Sequence, residues 1–257
     1  MPRTVQAIYP RDAYPAPSYC KYFYLGAQDS GDVENKIAGA ASAVKNAGLT
    51  DGELWANPGY ATIGGAAGNY ATVAAATHDL TLNGFTLVVC ARVKKSAVAL
   101  PASEQYFIAS YDPGVNTGGI IMSCRADGAA RLYCNSVGGT TVNVTTAAGV
   151  ITDGATANER TLTFIFPRET GQSAWAGVDG LEKTSAPASA IAGQSLAGGR
   201  SMRFGEPLAG GTIAAYQVGS FQAYMVPRDM SAMNRAAIHN WAWRNPHLPI
   251  PDWVFGL

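Results

Sequence analysis

From Gly84 onward the chain runs in short segments in which apolar and polar residues alternate with period two, the signature of strands rather than helices. In the segment Phe85 to Val93, Phe85, Leu87, Val89 and Val93 share one face, while Thr86, Val88 and Cys90 occupy the other. Apolar residues on both faces predict a strand in the interior of a sheet. Tyr106 to Ser110 reads as a second strand, with Phe107 opposite to Tyr106 and Ile108. Ile120 to Arg125 and Ala130 to Cys134 flank Ala126-Asp127-Gly128-Ala129, and Asp-Gly between alternating runs predicts a hairpin on a type I′ turn. In that hairpin Ile120, Met122 and Cys124 share a face, as do Leu132 and Cys134. Further strands are expected at Thr141 to Thr145, Leu162 to Phe166 (closed by Pro167), Ser173 to Val178 (leading into Asp179-Gly180), Met202 to Gly205, and Phe221 to Val226 (stopped by Pro227).

Two segments depart from this period. Met233, Ala237, Ile238 and Trp241 recur at helical spacing, with Ser231 as N-cap and Asn245-Pro246 as terminator, which predicts a helix over Ser231 to Arg244. A second candidate helix covers Asp32 to Ala47, where Val33, Ile37, Ala40, Ala41 and Val44 fit the period and Gly48-Leu49 has the form of a glycine C-cap. The 29 glycines and 14 prolines that punctuate the chain complete an all-β reading.

The order of these segments resembles the laminin G-like module, a concanavalin A-like fold. The resemblance is carried by Asn83-Gly84-Phe85-Thr86-Leu87-Val88-Val89 as the inner strand, the Asp127-Gly128 hairpin, and Arg160-Thr161-Leu162-Thr163-Phe164. It continues through Ala176-Gly177-Val178-Asp179-Gly180, Met202-Arg203-Phe204-Gly205, and the run from Gly219 to Ser231. It covers about two-thirds of the chain. Gly177 stands where the family has a strand aromatic, and Cys90 and Ala91 replace an inner-strand tryptophan. The resemblance implies an antiparallel two-sheet jelly-roll sandwich over residues 61–244 with one C-terminal helix. An N-terminal arm (1–60) with the candidate helix precedes it, and a Pro/aromatic tail (245–257) follows.

Charge and chemistry narrow the function. Lys plus Arg equals Asp plus Glu at 18 each, so nothing electrostatic favours nucleic acid or an anionic membrane. No apolar run is long enough for membrane insertion, and the N-terminus lacks the core of a secretory signal; the expectation is synthesis in a host cytoplasm, or a signal removed before this numbering. The four cysteines have no paired C-x-x-C spacing, which disfavours zinc and points to reduced, buried thiols. Glycosidase work needs two carboxylates across the scissile bond, and Glu169, Asp179 and Glu182 lie in or beside turns without the alternation that would aim a pair along one face. The histidines His78, His239 and His247 sit in no nucleophile arrangement. No catalytic residue, cofactor or metal is assigned.

Binding is the remaining class. The loop Tyr111 to Thr117 holds Asp112 and Asn116, which serve either as oxygen ligands for a rim calcium ion or as the polar residues of a Pro-Gly turn. Tyr111, Tyr133 and Trp175 fall on polar faces or in loops and are the candidate stacking platforms for a glycan. Asn143-Val144-Thr145 fits a glycosylation sequon and is read as plain strand. At the chain ends, Tyr14, Tyr19, Trp253 and Phe255 combine with prolines as candidate anchors for a partner subunit; the alternative is that both ends fold back over their own sandwich. The resemblance, with a Gly/Ala/Thr-rich and weakly charged composition, implies a non-catalytic structural or attachment module. Its expected place is a bacteriophage virion surface, as a homo-oligomer beside other virion subunits, with cell-surface glycan as candidate ligand. A free lectin-like module is the alternative, and a polysaccharide-degrading enzyme the third reading.

Overall fold

The structure is a computed structural model that describes residues 19–26, 28, 30–37, 39–57, 59–66, 68–74, 80–95, 103–110, 118–151, 159–188, 191–196, 201–205 and 215–257. Two seven-stranded antiparallel sheets face one another. The first has the order β1 (Cys20–Leu25), β14 (Tyr216–Val226), β5 (Thr86–Lys95), β10 (Arg160–Phe166), β11 (Ser173–Val178) and β12 (Leu181–Ala188), with β3 (Ala61–Ile63) also on β14. The second has the order β2 (Val44–Lys45), β4 (Ala71–Val73), β13 (Met202–Phe204), β6 (Gln105–Ala109), β7 (Gly119–Cys124), β8 (Ala130–Asn135) and β9 (Thr141–Thr145). Three α-helices are found among the described residues: α1 (Asp51–Leu54), α2 (Arg235–Arg244) and α3 (Asp252–Phe255).

The shared core follows from the period-two pattern. Leu87, Val89, Ala91 and Val93 of β5 and Leu162, Phe164 and Phe166 of β10 meet Ile120, Met122 and Cys124 of β7 and Leu132 and Cys134 of β8. The opposite faces of β5 and β14 are apolar for a different reason. Val88, Cys90, Ile165, Tyr224 and Val226 form a second core with Ile238 and Ala242 of α2 and Ile250, Val254 and Phe255 of the tail. β5 is therefore interior to its sheet and covered on both faces, as its sequence predicts. All four cysteines are buried.

Several expectations are corrected. The described residues of the 32–47 segment form no helix: Val33 and Ala43 exchange backbone hydrogen bonds (3.0 and 2.9 Å), and Val44–Lys45 is β2. The polar side chains explain why. Asn35 Oδ1 accepts from the backbone N–H of Phe23 (3.1 Å) and Asp32 Oδ1 from that of Lys45 (2.9 Å), tying the segment to extended neighbours instead of to a helix cap. The helix nearby is α1, whose Glu53 carboxylate accepts from the N–H of Thr50 at 2.9 Å.

The C-terminal helix begins later than Ser231. Its N-cap is Asn234, which accepts from Ala237 N–H (3.1 Å), because Met230–Ala232 turn tightly as a 3-10 segment first. The type I′ turn is at Asp179-Gly180 (φ 50° and 83°), with Val178 opposite Leu181. At Asp127-Gly128 only the glycine has positive φ (76°), and Gly128 donates to Arg125 C=O (2.9 Å), so one extra loop residue closes that hairpin. In β6 a register shift between Tyr106 and Ile108 places both Phe107 and Ile108 in the core. The sandwich also exceeds the expected 61–244 span, since β1 and β2 come from the N-terminal segment and the tail packs on the first sheet.

Candidate functional site

The second sheet carries a polar, partly exposed outer face. Register aligns Tyr106 with Ser123, Ser123 with Arg131 and Arg131 with Thr145, and in the next row aligns Ala109, Ile121, Tyr133 and Asn143. Alternation sends the neighbours of these residues into the core, so these outer-facing side chains form a surface of their own. The Tyr106 and Tyr133 rings meet edge to face at 6.4 Å, and both pack over buried Ala109 and Ile121. Each ring is half-buried.

Polar groups frame the pair. Glu104 accepts from Arg131 Nη1 (3.1 Å) and from the Tyr133 hydroxyl (3.1 Å), and the Ser123 hydroxyl donates to its other oxygen. Arg131 Nε donates to Thr145 Oγ1 (2.8 Å), Nη1 donates to the Tyr133 hydroxyl, and the guanidinium carbon lies 5.2 Å from the Tyr133 ring centre. Burial, and then the Glu104 charge, push the Tyr106 phenol upward; burial does the same at Tyr133. Both phenols stay neutral at physiological pH and keep their donor and acceptor character. The site offers an apolar ring surface flanked by a guanidinium, a carboxylate and hydroxyls. Glu104 is the single carboxylate of the cluster among the described residues.

The sequence-expected residues do not converge. Tyr133 is in this site. Trp175 lies on β11, on the outer face of the other sheet, where Arg235 covers its ring at 4.7 Å and it packs against the helical layer. Tyr111, Asp112 and Asn116 fall outside the described residues, as does Tyr14. Tyr19 is half-buried, and its carbonyl accepts from Met225 N–H (2.9 Å). Trp253 is 67% exposed, edge-on to Trp241 at 5.3 Å. Phe255 is fully buried against Tyr224, which corrects its reading as an anchor for a partner. Sequence reasoning missed Tyr106, Glu104 and Arg131. The spacing of Arg131 and Tyr133, two apart on one strand, was the available signal; their pairing with β6 depends on register. Among the described residues no group of three or more His, Cys, Asp or Glu side chains is placed to hold a metal.

A second polar cluster lies at the first sheet. Arg92 donates to the Tyr60 hydroxyl (3.0 Å) and to His247 Nε2 (2.5 Å), and pairs with Glu159. Burial and the neighbouring guanidinium hold the His247 imidazole down at about 4. Protonation would replace an acceptor by a cation facing a cation. Because the folded value lies below the unfolded one of about 6.5, the unfolded chain binds the proton first, and stability falls as pH drops from that value through about 4. Buried His239, also lowered by desolvation, acts with the same sign. Melting temperatures measured against pH should decline over this window, and His247→Gln should flatten the decline relative to wild type. Parallel profiles for the two proteins would refute this assignment.

No family model and no curated protein matches the sequence. Solved structures share the fold. The botulinum neurotoxin serotype D binding domain superposes with a TM-score of 0.62 at 11% identity, over 88% of this chain and 52% of that one. The serotype G binding domain gives 0.59 at 9% identity, over 88% and 51%. The binding domain of Paraclostridial Mosquitocidal Protein 1 gives 0.61 at 8%, over 89% and 52%. The chain thus spans about half the length of each solved chain, and at these identities the likeness is one of fold.

Proposed function

We propose that this chain is a non-catalytic binding module that presents the Tyr106–Tyr133 face to a glycan as the attachment part of a larger assembly. The observation that carries the reading is the half-buried tyrosine pair framed by Arg131 and Glu104. A pyranose has an apolar face that stacks on an aromatic ring, and hydroxyls that suit a guanidinium, a carboxylate and threonine oxygens. The solved chains of the same fold are named as binding domains, which supports binding over catalysis. The laminin G-like order of strands and the weakly charged composition support a place among virion proteins, as a decoration, baseplate or tail-fibre subunit.

Glycan-array screening followed by calorimetry tests the reading. Wild type should bind at least one surface polysaccharide without releasing reducing sugar, and Tyr133→Ala should weaken binding about tenfold or more, equivalent to about 1.4 kcal/mol. Equal affinity of Tyr133→Ala and wild type, or hydrolysis by wild type, would overturn it.

A further inference from the structure

We infer that the chain forms a two-fold homodimer by pairing the outer edge of β9 with the same edge of a second copy. β9 ends its sheet and has β8 as its ladder partner. The register fixes which backbone groups face outward. Thr146 donates its N–H to Ala130 C=O and Ser136 donates to Thr140 C=O, both at 2.8 Å, so the even-numbered residues turn their backbone groups toward β8. Antiparallel ladders alternate, so the N–H and C=O groups of Thr141, Asn143 and Thr145 point away from the sheet. The Thr145 carbonyl accepts the Thr184 hydroxyl (2.9 Å) and keeps a second lone pair.

Exposed edges are normally blunted by charge, proline or bulges. β12, at the end of the other sheet, has all three: Glu182 and Lys183, Pro187, and two register shifts against β11. β9 has none. Thr141-Val142-Asn143-Val144-Thr145 contains no charge, proline or glycine, stays in unbroken register with β8, and exposes Thr141 and Asn143.

The occupant is read from symmetry. This segment is a palindrome about Asn143, so a two-fold axis through that residue sets Thr141 against the partner subunit's Thr145, Val142 against the partner subunit's Val144, and Asn143 against itself. Such an isologous pairing forms about six backbone hydrogen bonds. It keeps both valines on the core side and the threonines and asparagine on the outer side. A slip of one residue would reverse the faces, so the register selects itself. An interface of this size is small, and association on the order of micromolar is expected.

Tyr133 lies in register with Asn143. The two Tyr133 strands would therefore stand about 14–15 Å apart across the axis, on one continuous sheet face. The bivalence this gives rests on the glycan reading; the dimer does not.

The test uses the full chain made in bacteria, where Asn143 carries no glycan. Sedimentation equilibrium at tens to hundreds of micromolar should give twice the chain mass. Asn143→Pro removes an N–H that points away from β8, so β8–β9 pairing persists while dimerisation is lost. Asn143→Cys should cross-link to a covalent dimer on mild oxidation, against a low background because the native thiols are buried. A monomeric wild type, a dimeric Asn143→Pro, or an Asn143→Cys that fails to cross-link would each overturn the proposal. Should Asn143→Pro not fold, the cross-link decides. Glycan affinity is measured separately on monomer, so losing the dimer and losing the ligand are distinguishable.

Discussion

Truncation of Phe255 to alanine is expected to remove about 3–5 kcal/mol of stability and to lower the melting temperature by roughly 6–20 °C. The ring is fully buried and packs at 5.3 Å against Tyr224, in the second core between the first sheet and the helical layer. The site cannot collapse easily, because polar bonds hold the tail on either side of it. Ile250 donates its N–H to the Tyr224 hydroxyl (2.8 Å), that hydroxyl donates to Gln222, and Gln222 Nε2 donates to the carbonyls of Pro246 (3.2 Å) and Leu248 (3.3 Å). Trp241 Nε1 donates to Pro249 C=O at 3.2 Å, and Arg228 reaches the Gly256 carbonyl. These bonds satisfy groups that burial would otherwise penalise. Trp253→Ala, two residues away and mostly solvent-exposed, should shift the melting temperature far less. Thermal melts of the two variants side by side check the contrast, and a Phe255→Ala protein as stable as wild type would remove the tail from the fold.

Between its two readings of the C-terminal tail, the sequence could not choose. Tyr, Pro and Trp in an end segment fit either a partner or the chain's own sheet, and what decides is the apolar outer face of β5 and β14. That face is partly visible as Val88 and Cys90 alternating with Leu87 and Val89. A strand apolar on both sides must be covered twice, and the tail is the second cover. The inner-facing residues of β7 and β8 were readable for the same reason, since period two assigns each side chain a face. What period two cannot give is lateral order. Tyr106 and Tyr133 lie 27 positions apart, and they meet only because β6, β7 and β8 pair in a particular register, with a bulge in β6 that no alternation announces. The 32–47 segment failed for a local reason: its helical spacing rests on alanines that bury little, while Asp32 and Asn35 bond extended backbone.

Gly177→Ala is expected to destabilise the protein by about 3 kcal/mol, at the upper end for an overpacked core position. Gly177 lies on β11, beneath His239 of α2. A Cβ at this position would stand 2.1 Å from His239 Nδ1, 2.6 Å from Cε1 and 2.8 Å from Cγ. No atom pair tolerates such approaches, so either the imidazole or α2 itself must move. The imidazole has little freedom. It is fully buried, its Nε2 lies 3.3 Å from Glu182, and that carboxylate is held by Arg235 at 2.8 and 3.3 Å. Moving α2 would strip cover from Val88, Cys90 and Ile165 beneath it. Nearby Gly180 adds to the constraint, because its φ of +83° serves the hairpin turn and a Cβ there would meet Trp243 at 2.8 Å. The cost should appear as a melting temperature lower by about 6–12 °C. A second change isolates the cause. His239→Ala introduced into Gly177→Ala should restore much of the loss, giving a coupling on the order of 2 kcal/mol between positions that touch. Gly52→Ala in α1, with open space around the new methyl group, should be neutral or slightly stabilising. If Gly177→Ala melts with wild type, or if the loss persists undiminished without the imidazole, α2 does not rest on β11 through this glycine.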